Sequence, residues 1–199
     1  MTDLSIVIVN WNVSDLLRQC LQSIFATVGE INLEVIVVDN ASTDNSVAMV
    51  RAEFPAVQVI ANAHNHGFPA ANNQGIEIAQ GRYVLLLNPD TEIVGAALAT
   101  LVAYADTHPE AGVVGPQLLN SDGSVQSSRR RFPTLATALF ESTWLQNIAP
   151  QRVLDRYYVA DRSAGDVQTV DWLYGAALLA RREAIEARFR VRLKNAPTP

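Results

Sequence analysis

A single cysteine, Cys20, stands in the 199 residues. No intrachain disulfide can form. With Leu17, Leu21 and Ile24 around it at helical spacing, its thiol reads as part of a core and not as a nucleophile. Glycine-rich phosphate loops are missing. No G-x-G-x-x-G follows the first strand-like run, which argues against a dinucleotide-dependent oxidoreductase. No G-x-x-x-x-G-K-[ST] occurs, which argues against a P-loop enzyme. The longest apolar stretch, Ile93 to Ala105, is broken by Gly95, Thr100 and Tyr104 and falls short of the ~20 residues a membrane-spanning helix needs. Met1-Thr2-Asp3-Leu4 lacks a basic n-region, so no signal peptide is expected. Positive charge is in deficit, 15 Lys and Arg against 20 Asp and Glu for a net charge of -5, so a nucleic-acid partner is not expected. The expected setting is the cytoplasm, with a peripheral contact to the inner face of a membrane left open.

What is present is a globular composition, 49% apolar and 18% charged. The length suits one α/β domain with a small appendage. The organising stretch is Tyr83 to Asp90. Its apolar run, Val84 to Leu87, reads as a strand buried on both faces, cut off by Asn88-Pro89-Asp90. Other segments follow the same plan. Leu4 to Val9 ends in Asn10-Trp11-Asn12, Leu33 to Val38 in Asp39-Asn40, and Val57 to Ala61 in the run from Asn62 to Phe68. Helices are expected between them, one capped by Ser14 and carrying Leu17 and Leu21, one capped by Asp44 and carrying Val47 and Val50, and one with Pro69 in its first turn. A further helix through Leu98 and Val102 closes before Pro109, and Val113-Val114 is a fifth strand. Strands alternating with helices imply a largely parallel sheet.

Beyond Leu119 the pattern loosens. Asn120 to Gly123 reads as a hairpin turn, Thr134 to Asn147 as a helix, Val170 to Leu179 as a strand pair and 182–187 as a short helix, while 149–166 has no assignment. The expected organisation is a nucleotide-binding α/β subdomain over 1–119, a smaller partial subdomain over 120–187 and a basic tail over 188–199.

Open α/β sheets bind ligands at the carboxyl ends of their strands. Here those ends bring Asn10, Trp11, Asn12, Asp39, Asn40, Asn65, Asn88 and Asp90 to one edge. Amides suit the edges of a nucleobase, Trp11 suits a flat ring, Asp39 can accept from a base imide or a ribose hydroxyl, and Asp90 can ligate a hard cation. Mg²⁺ often takes only one or two carboxylates beside phosphate oxygens and water. The ligand these groups assemble is a nucleotide carrying phosphates. Several other residues keep two readings. His64 and His66 are a metal pair or plain loop residues, Arg129 to Arg131 are an anion contact or a solvated face, and Trp172 and Tyr174 line a ligand pocket or pack in a core. Gly75 reads as structural.

These residues resemble the family-2 glycosyltransferases. Ser5 to Asn12 is similar to the family's opening strand, and Val37-Val38-Asp39-Asn40-Ala41-Ser42-Thr43-Asp44 to its acidic nucleotide motif. Asn65-x-Gly67-Phe68-x-x-Ala71-x-Asn73-x-Gly75, Arg130 to Thr134 and Trp172-Leu173-Tyr174-Gly175-Ala176 resemble its rhamnosyltransferase-like branch. Leu87-Asn88-Pro89-Asp90 stands where the family carries its Asp-x-Asp metal motif. The resemblance implies a GT-A fold and inverting transfer from a nucleotide-diphosphate sugar, dTDP-rhamnose or a UDP-hexose, to a cell-surface glycan or lipid-linked acceptor. It implies donor binding by Asn10, Trp11, Asn12, Asp39, Asn40, Ser42, Asn65, Gly67, Phe68, Asn73, Asn88 and Gly175, with Mg²⁺ or Mn²⁺ on Asp90.

Two departures stand out. Asn88 replaces the first acid of the metal motif. After Glu186 the chain reads Arg188 to Lys194 and ends at Pro199, where the family places a Gly-Gly-Phe-Asp stretch and a Glu-Asp pair carrying the catalytic base. The base is therefore unassigned, with Asp166 and Asp171 the nearest acids upstream, and the chain reads as C-terminally truncated. A nucleotide-binding remnant without transferase activity is the alternative. A sugar-nucleotide pyrophosphorylase, which needs a basic Gly-rich loop where Asn10-Trp11-Asn12 stands, is a more distant one.

Overall fold

The computed structural model describes residues 2–134, 137, 157–159, 163 and 165–187. Most of the expected helix over Thr134 to Asn147, most of the unassigned stretch 149–166, and the tail 188–199 lie outside the described residues. The chain forms two compact units, one from 1–116 with 175–199, the other from 117–174.

The first unit alternates strands and helices in the expected order. They are β1 (Leu4–Asn10), α1 (Ser14–Thr27), β2 (Leu33–Asp39), α2 (Ser46–Glu53), β3 (Gln58–Ala61), α3 (Phe68–Ile78), β4 (Tyr83–Leu87), α4 (Ala97–Thr107) and β5 (Val113–Val114). The sheet order is β3-β2-β1-β4, all parallel, continued by β10 (Ala177–Arg181) and β5, with β10 antiparallel to both neighbours. On one face Val7 and Val9 of β1, Ile36 and Val38 of β2 and Val84 of β4 pack with Ala71 and Ala79. Their alternates Ile6, Ile8, Val35, Val37 and Leu85 are also buried, so both faces are covered, as period-2 side-chain alternation in unbroken apolar runs requires. Gly75 brings α3 close to the sheet. A Cβ there would collide with Val7 and lie 3.3 Å from Val38.

Local capping differs from the sequence reading. Ser14 is the first residue of α1, and no side chain caps the helix at its N-cap, Val13. Asp44 acts in its place. Its Oδ2 accepts the Ser14 N–H at 3.0 Å, and its Oδ1 accepts both the N–H and the hydroxyl of Ser46 at the start of α2. Two consecutive arginines close helix ends at the far edge of the sheet. Arg181 donates to the carbonyls of Ala105 in the last turn of α4 and of His108 and Ala111 beyond it, and Arg182 to those of Ala79 and Gly81 beyond α3. None of the described helices is long and apolar enough to cross a membrane.

The second unit holds β6 (Leu118–Leu119) paired with β7 (Val125–Gln126), and β8 (Arg129–Arg130) paired with β9 (Trp172–Leu173). The Asn120 to Gly123 turn joins the first pair, with Gly123 at φ 81°. Val170 to Leu179 is thus not a strand pair. β9 takes β8 as its partner, while Ala177 and Leu179 of β10 register against Leu87 and Leu85 of β4 and extend the six-stranded sheet. Arg130 lies over the rings of Tyr158, Tyr157 and Trp172, and Arg129 donates to the Ser163 carbonyl. Both guanidinium groups therefore bond within the unit.

Candidate functional site

The parallel register of β1 and β2 sets Asn10 beside Asp39 where the two strands end. Both are buried. Asn10 Nδ2 donates to Asp39 Oδ2 at 2.8 Å and to Ser42 Oγ at 3.1 Å, and Asp39 Oδ1 accepts the Ser42 N–H at 2.9 Å. Ser42 Oγ also accepts the Asn12 N–H, and Asn12 Oδ1 accepts the Thr43 N–H at 2.7 Å. These bonds lock the first two strand-end loops together and hold Asn12 and Ala41 at φ 56° and 66°. Asparagine tolerates that left-handed region, whereas alanine is strained in it. Asn10 Oδ1 is buried without a partner. A buried acceptor left so costs about 1–3 kcal/mol.

The third loop is tied to the second by Asn40. Its Nδ2 donates to Asn65 Oδ1 at 2.7 Å, and its Oδ1 accepts the His66 N–H at 3.0 Å. Asn65 Oδ1 also accepts the Gly67 N–H. Gly67, at φ 80°, is the N-cap of α3 and turns the chain so that Phe68 opens the helix.

The fourth strand end is anchored from three sides. Asn88 N–H donates to the Ala176 carbonyl at 2.9 Å. The Asn88 carbonyl accepts the Thr91 hydroxyl at 2.7 Å and lies 3.9 Å from Cys20 Sγ. Burial pushes the Cys20 thiol up to about 12, which suits the core role read from sequence. The turn after Asp90 is held by Ser23, whose hydroxyl accepts the Ile93 N–H.

Between these loops lies a cleft of about 360 Å³ lined by Val9, Trp11, Val13, Leu16, Asn40, Asn65, Phe68, Asn88, Pro89 and Asp90. Trp11 and Phe68 are 58% and 52% exposed, so two aromatic faces stand ready for a planar ligand. Asp90 is exposed and is the one carboxylate among these lining residues. Trp11, Asn40, Asn65, Phe68, Asn88 and Asp90 thus come together as the sequence suggests. Asn10, Asn12, Asp39 and Ser42 form the layer that ties the first two loops, Gly67 sets the third, and Gly175 adjoins the Ala176 carbonyl that holds Asn88. Asn73 is exposed on α3 and does not line the cleft. Asp166 and Asp171 belong to the second unit, where Asp171 Oδ2 accepts the Phe132 N–H. His64 and His66 are exposed, and among the described residues no group of three or more His, Cys, Asp or Glu is placed to hold a metal ion. Sequence reasoning passed over Val13 and Leu16 as cleft walls, Thr91 as an anchor, and the pair Asn62 and Gln74. Helical periodicity marks Leu16 only as an apolar position and cannot say that it faces a cleft.

The chain is similar in sequence and fold to known proteins. The chain is 29% identical over 196 residues to an N-acetylglucosaminyl-diphospho-decaprenol L-rhamnosyltransferase of Mycobacterium tuberculosis, covering 92% of this chain and 63% of that protein. It thus spans less than two thirds of that relative's length. Among solved structures, a fragment of S. aureus TarS superposes with a TM-score of 0.62 at 18% identity, over 94% of this chain and 49% of that one. The same TarS fragment has been solved with UDP-GlcNAc, matching with a TM-score of 0.55 at 24% identity over 64% of this chain and 38% of that one. The mannosyltransferase PcManGT from Pyrobaculum calidifontis, solved with GDP-Man and Mn²⁺, gives 0.61 at 21% identity, over 94% and 48%. The fold is therefore GT-A, as the mostly parallel sheet flanked by helices anticipates. With the sequence pattern of Glycosyl transferase family 2 matched over residues 5–186, the chain belongs to that family.

Proposed function

We propose that this chain is the donor-binding portion of an inverting glycosyltransferase. Its donor is a nucleotide-diphosphate sugar, dTDP-rhamnose or a UDP-hexose, and its acceptor a cell-surface glycan or lipid-linked saccharide. The carrying observation is the cleft itself, which has two exposed aromatic faces, amide groups and one carboxylate at the ends of parallel strands. Trp11 and Phe68 wall the base, Asn65 offers an amide N–H to it, and Asn10, Asn12, Asp39, Asn40 and Ser42 fix the shape of that wall. The partnerless Asn10 Oδ1 adds an acceptor in this layer. Solved complexes of fold relatives with UDP-GlcNAc and with GDP-Man support the ligand class.

The donor set at Asp90 fits Mg²⁺ or Mn²⁺. A lone carboxylate beside Asn88 is enough where diphosphate oxygens and water complete the shell. Such an ion neutralises charge on the leaving diphosphate. Asn88 and Thr91 fix the turn that presents Asp90. Inverting transfer also needs a base to take the acceptor hydroxyl's proton. Asp166 and Asp171 of the second unit, which we assign to the acceptor side, are the candidates. A lipid-linked acceptor brings the work to the inner face of a membrane.

The test is a melting-temperature screen of nucleotide sugars, since a ligand that binds only the folded state raises the midpoint. A rise with UDP- or dTDP-sugars is expected. Asp39→Ala should weaken UDP or dTDP binding, because it removes the buried carboxylate that ties Asn10 to the Ser42 loop and so fixes the cleft wall. No shift with any nucleotide sugar contradicts the proposal.

A further inference from the structure

Asn40 does not reach the third loop alone. Asn62 Nδ2 donates to Asn40 Oδ1 at 3.3 Å and to Gln74 Oε1 at 2.8 Å, and Gln74 Nε2 donates back to Asn62 Oδ1 at 3.2 Å. Gln74 sits on α3, whose Gly75 is pressed against Val7 and which therefore has a fixed height over the sheet. A run of amides thus leads from a rigid helix through Asn62 and Asn40 to Asn65 and to the N–H groups of His66 and Gly67. Asn62 and Gln74 are both half-buried and neither lines the cleft. Their reciprocal pair orients the Asn62 amide toward Asn40, and Asn40 in turn holds the turn that delivers Phe68 to the cleft wall.

We propose that Gln74 is a positioning residue for the cleft, acting through Asn62 and Asn40 on the Asn65–Gly67 turn. Amide networks of this kind rigidify when every member is satisfied, and they loosen together when one is lost. The effect on ligand rests on the proposed donor reading, whereas the effect on the turn does not.

The experiment uses the whole chain with Gln74→Met, which keeps length and removes both bonds, and Asn62→Ala, which breaks the run from its middle. Hydrogen exchange is read at His66 and Gly67, with Val37 and Val38 of the sheet as controls, and UDP affinity is read by calorimetry. Exchange at His66 and Gly67 should quicken in both variants by roughly five- to tenfold, as loss of one hydrogen bond implies, with the sheet unchanged. UDP should bind more weakly than to the parent, and Gln74→Glu, which keeps an acceptor for Asn62, should recover part of the protection. Unchanged exchange at His66 and Gly67 in either folded variant overturns the proposal, as does parental UDP affinity in a variant whose turn has loosened. If the parent itself binds no UDP, the donor reading fails, and the exchange data alone decide whether Gln74 positions the turn.

Discussion

Asp44 and Ser14 are joined across 30 residues of sequence by a 3.0 Å bond from the Ser14 N–H to the Asp44 carboxylate. The same carboxylate holds Ser46, so one acid serves the first turns of two helices whose preceding loops form the site. Helix N-termini favour such an anion. Burial works against its ionisation, but the Ser46 hydroxyl and the amides of Ser46 and Ser14 outweigh it and hold the carboxyl below its ordinary range.

Asp44→Ala should therefore cost about 1–2 kcal/mol, the range for a lost cap. Because the folded-state value is lowered, the ionised carboxylate's contribution is fully present above the unfolded value of about 3.9. It is lost as pH falls through the folded value. Urea unfolding of parent and variant at pH 7 and at pH 3 checks this. The difference should be large at pH 7 and smaller at pH 3, and an equal difference at both would count against a role for the charge.

Gly75→Ala tests the seat of α3. Helix propensity favours alanine by about 1 kcal/mol, but overpacking a well-filled core costs about 1–3 kcal/mol. The added methyl meets Val7 in the middle of β1, so the packing term should win and leave the variant less stable by up to about 2 kcal/mol. The readout is the urea midpoint at unchanged slope. A midpoint at or above the parent's would show that the sheet yields.

Much of this molecule was legible in its sequence because burial leaves a local signature. An apolar run such as Val84 to Leu87 that stops at Asn88-Pro89-Asp90 marks both a strand and the edge where it ends, and the same holds at Asn10 and Asp39. What depends on distant neighbours was not legible. Ser14 looks like a cap, yet the capping carboxylate comes from Asp44, one strand away. Val170 to Leu179 reads as a strand pair because alternation cannot say which partner a strand takes. Arg181 and Arg182 carry no pattern of their own, although they close α4 and α3. The contacts of Asn62 with Gln74 exist only once β3 and α3 have been brought together.

Asp90→Ala separates the cation's role from that of the fold. The side chain is exposed, so stability should change by less than about 0.5 kcal/mol. Mn²⁺ or Mg²⁺ should strengthen UDP binding to the parent and leave the variant unaffected, because Asp90 would hold the cation that offsets the diphosphate's charge. Equal metal dependence in both proteins would remove Asp90 from this role.

The most direct test of the cleft as a nucleotide site is calorimetric titration of UDP and dTDP into the parent and into Trp11→Ala. Trp11 is 58% exposed, so its removal leaves the core intact and any loss of affinity reports contact with ligand. Stacking of a base on an aromatic ring is worth about 1–3 kcal/mol by alanine substitution. The account predicts saturable binding to the parent and weakening by that amount in Trp11→Ala at unchanged melting temperature. No binding to the parent in the presence of Mg²⁺ or Mn²⁺, or equal affinity in the two proteins, would contradict it.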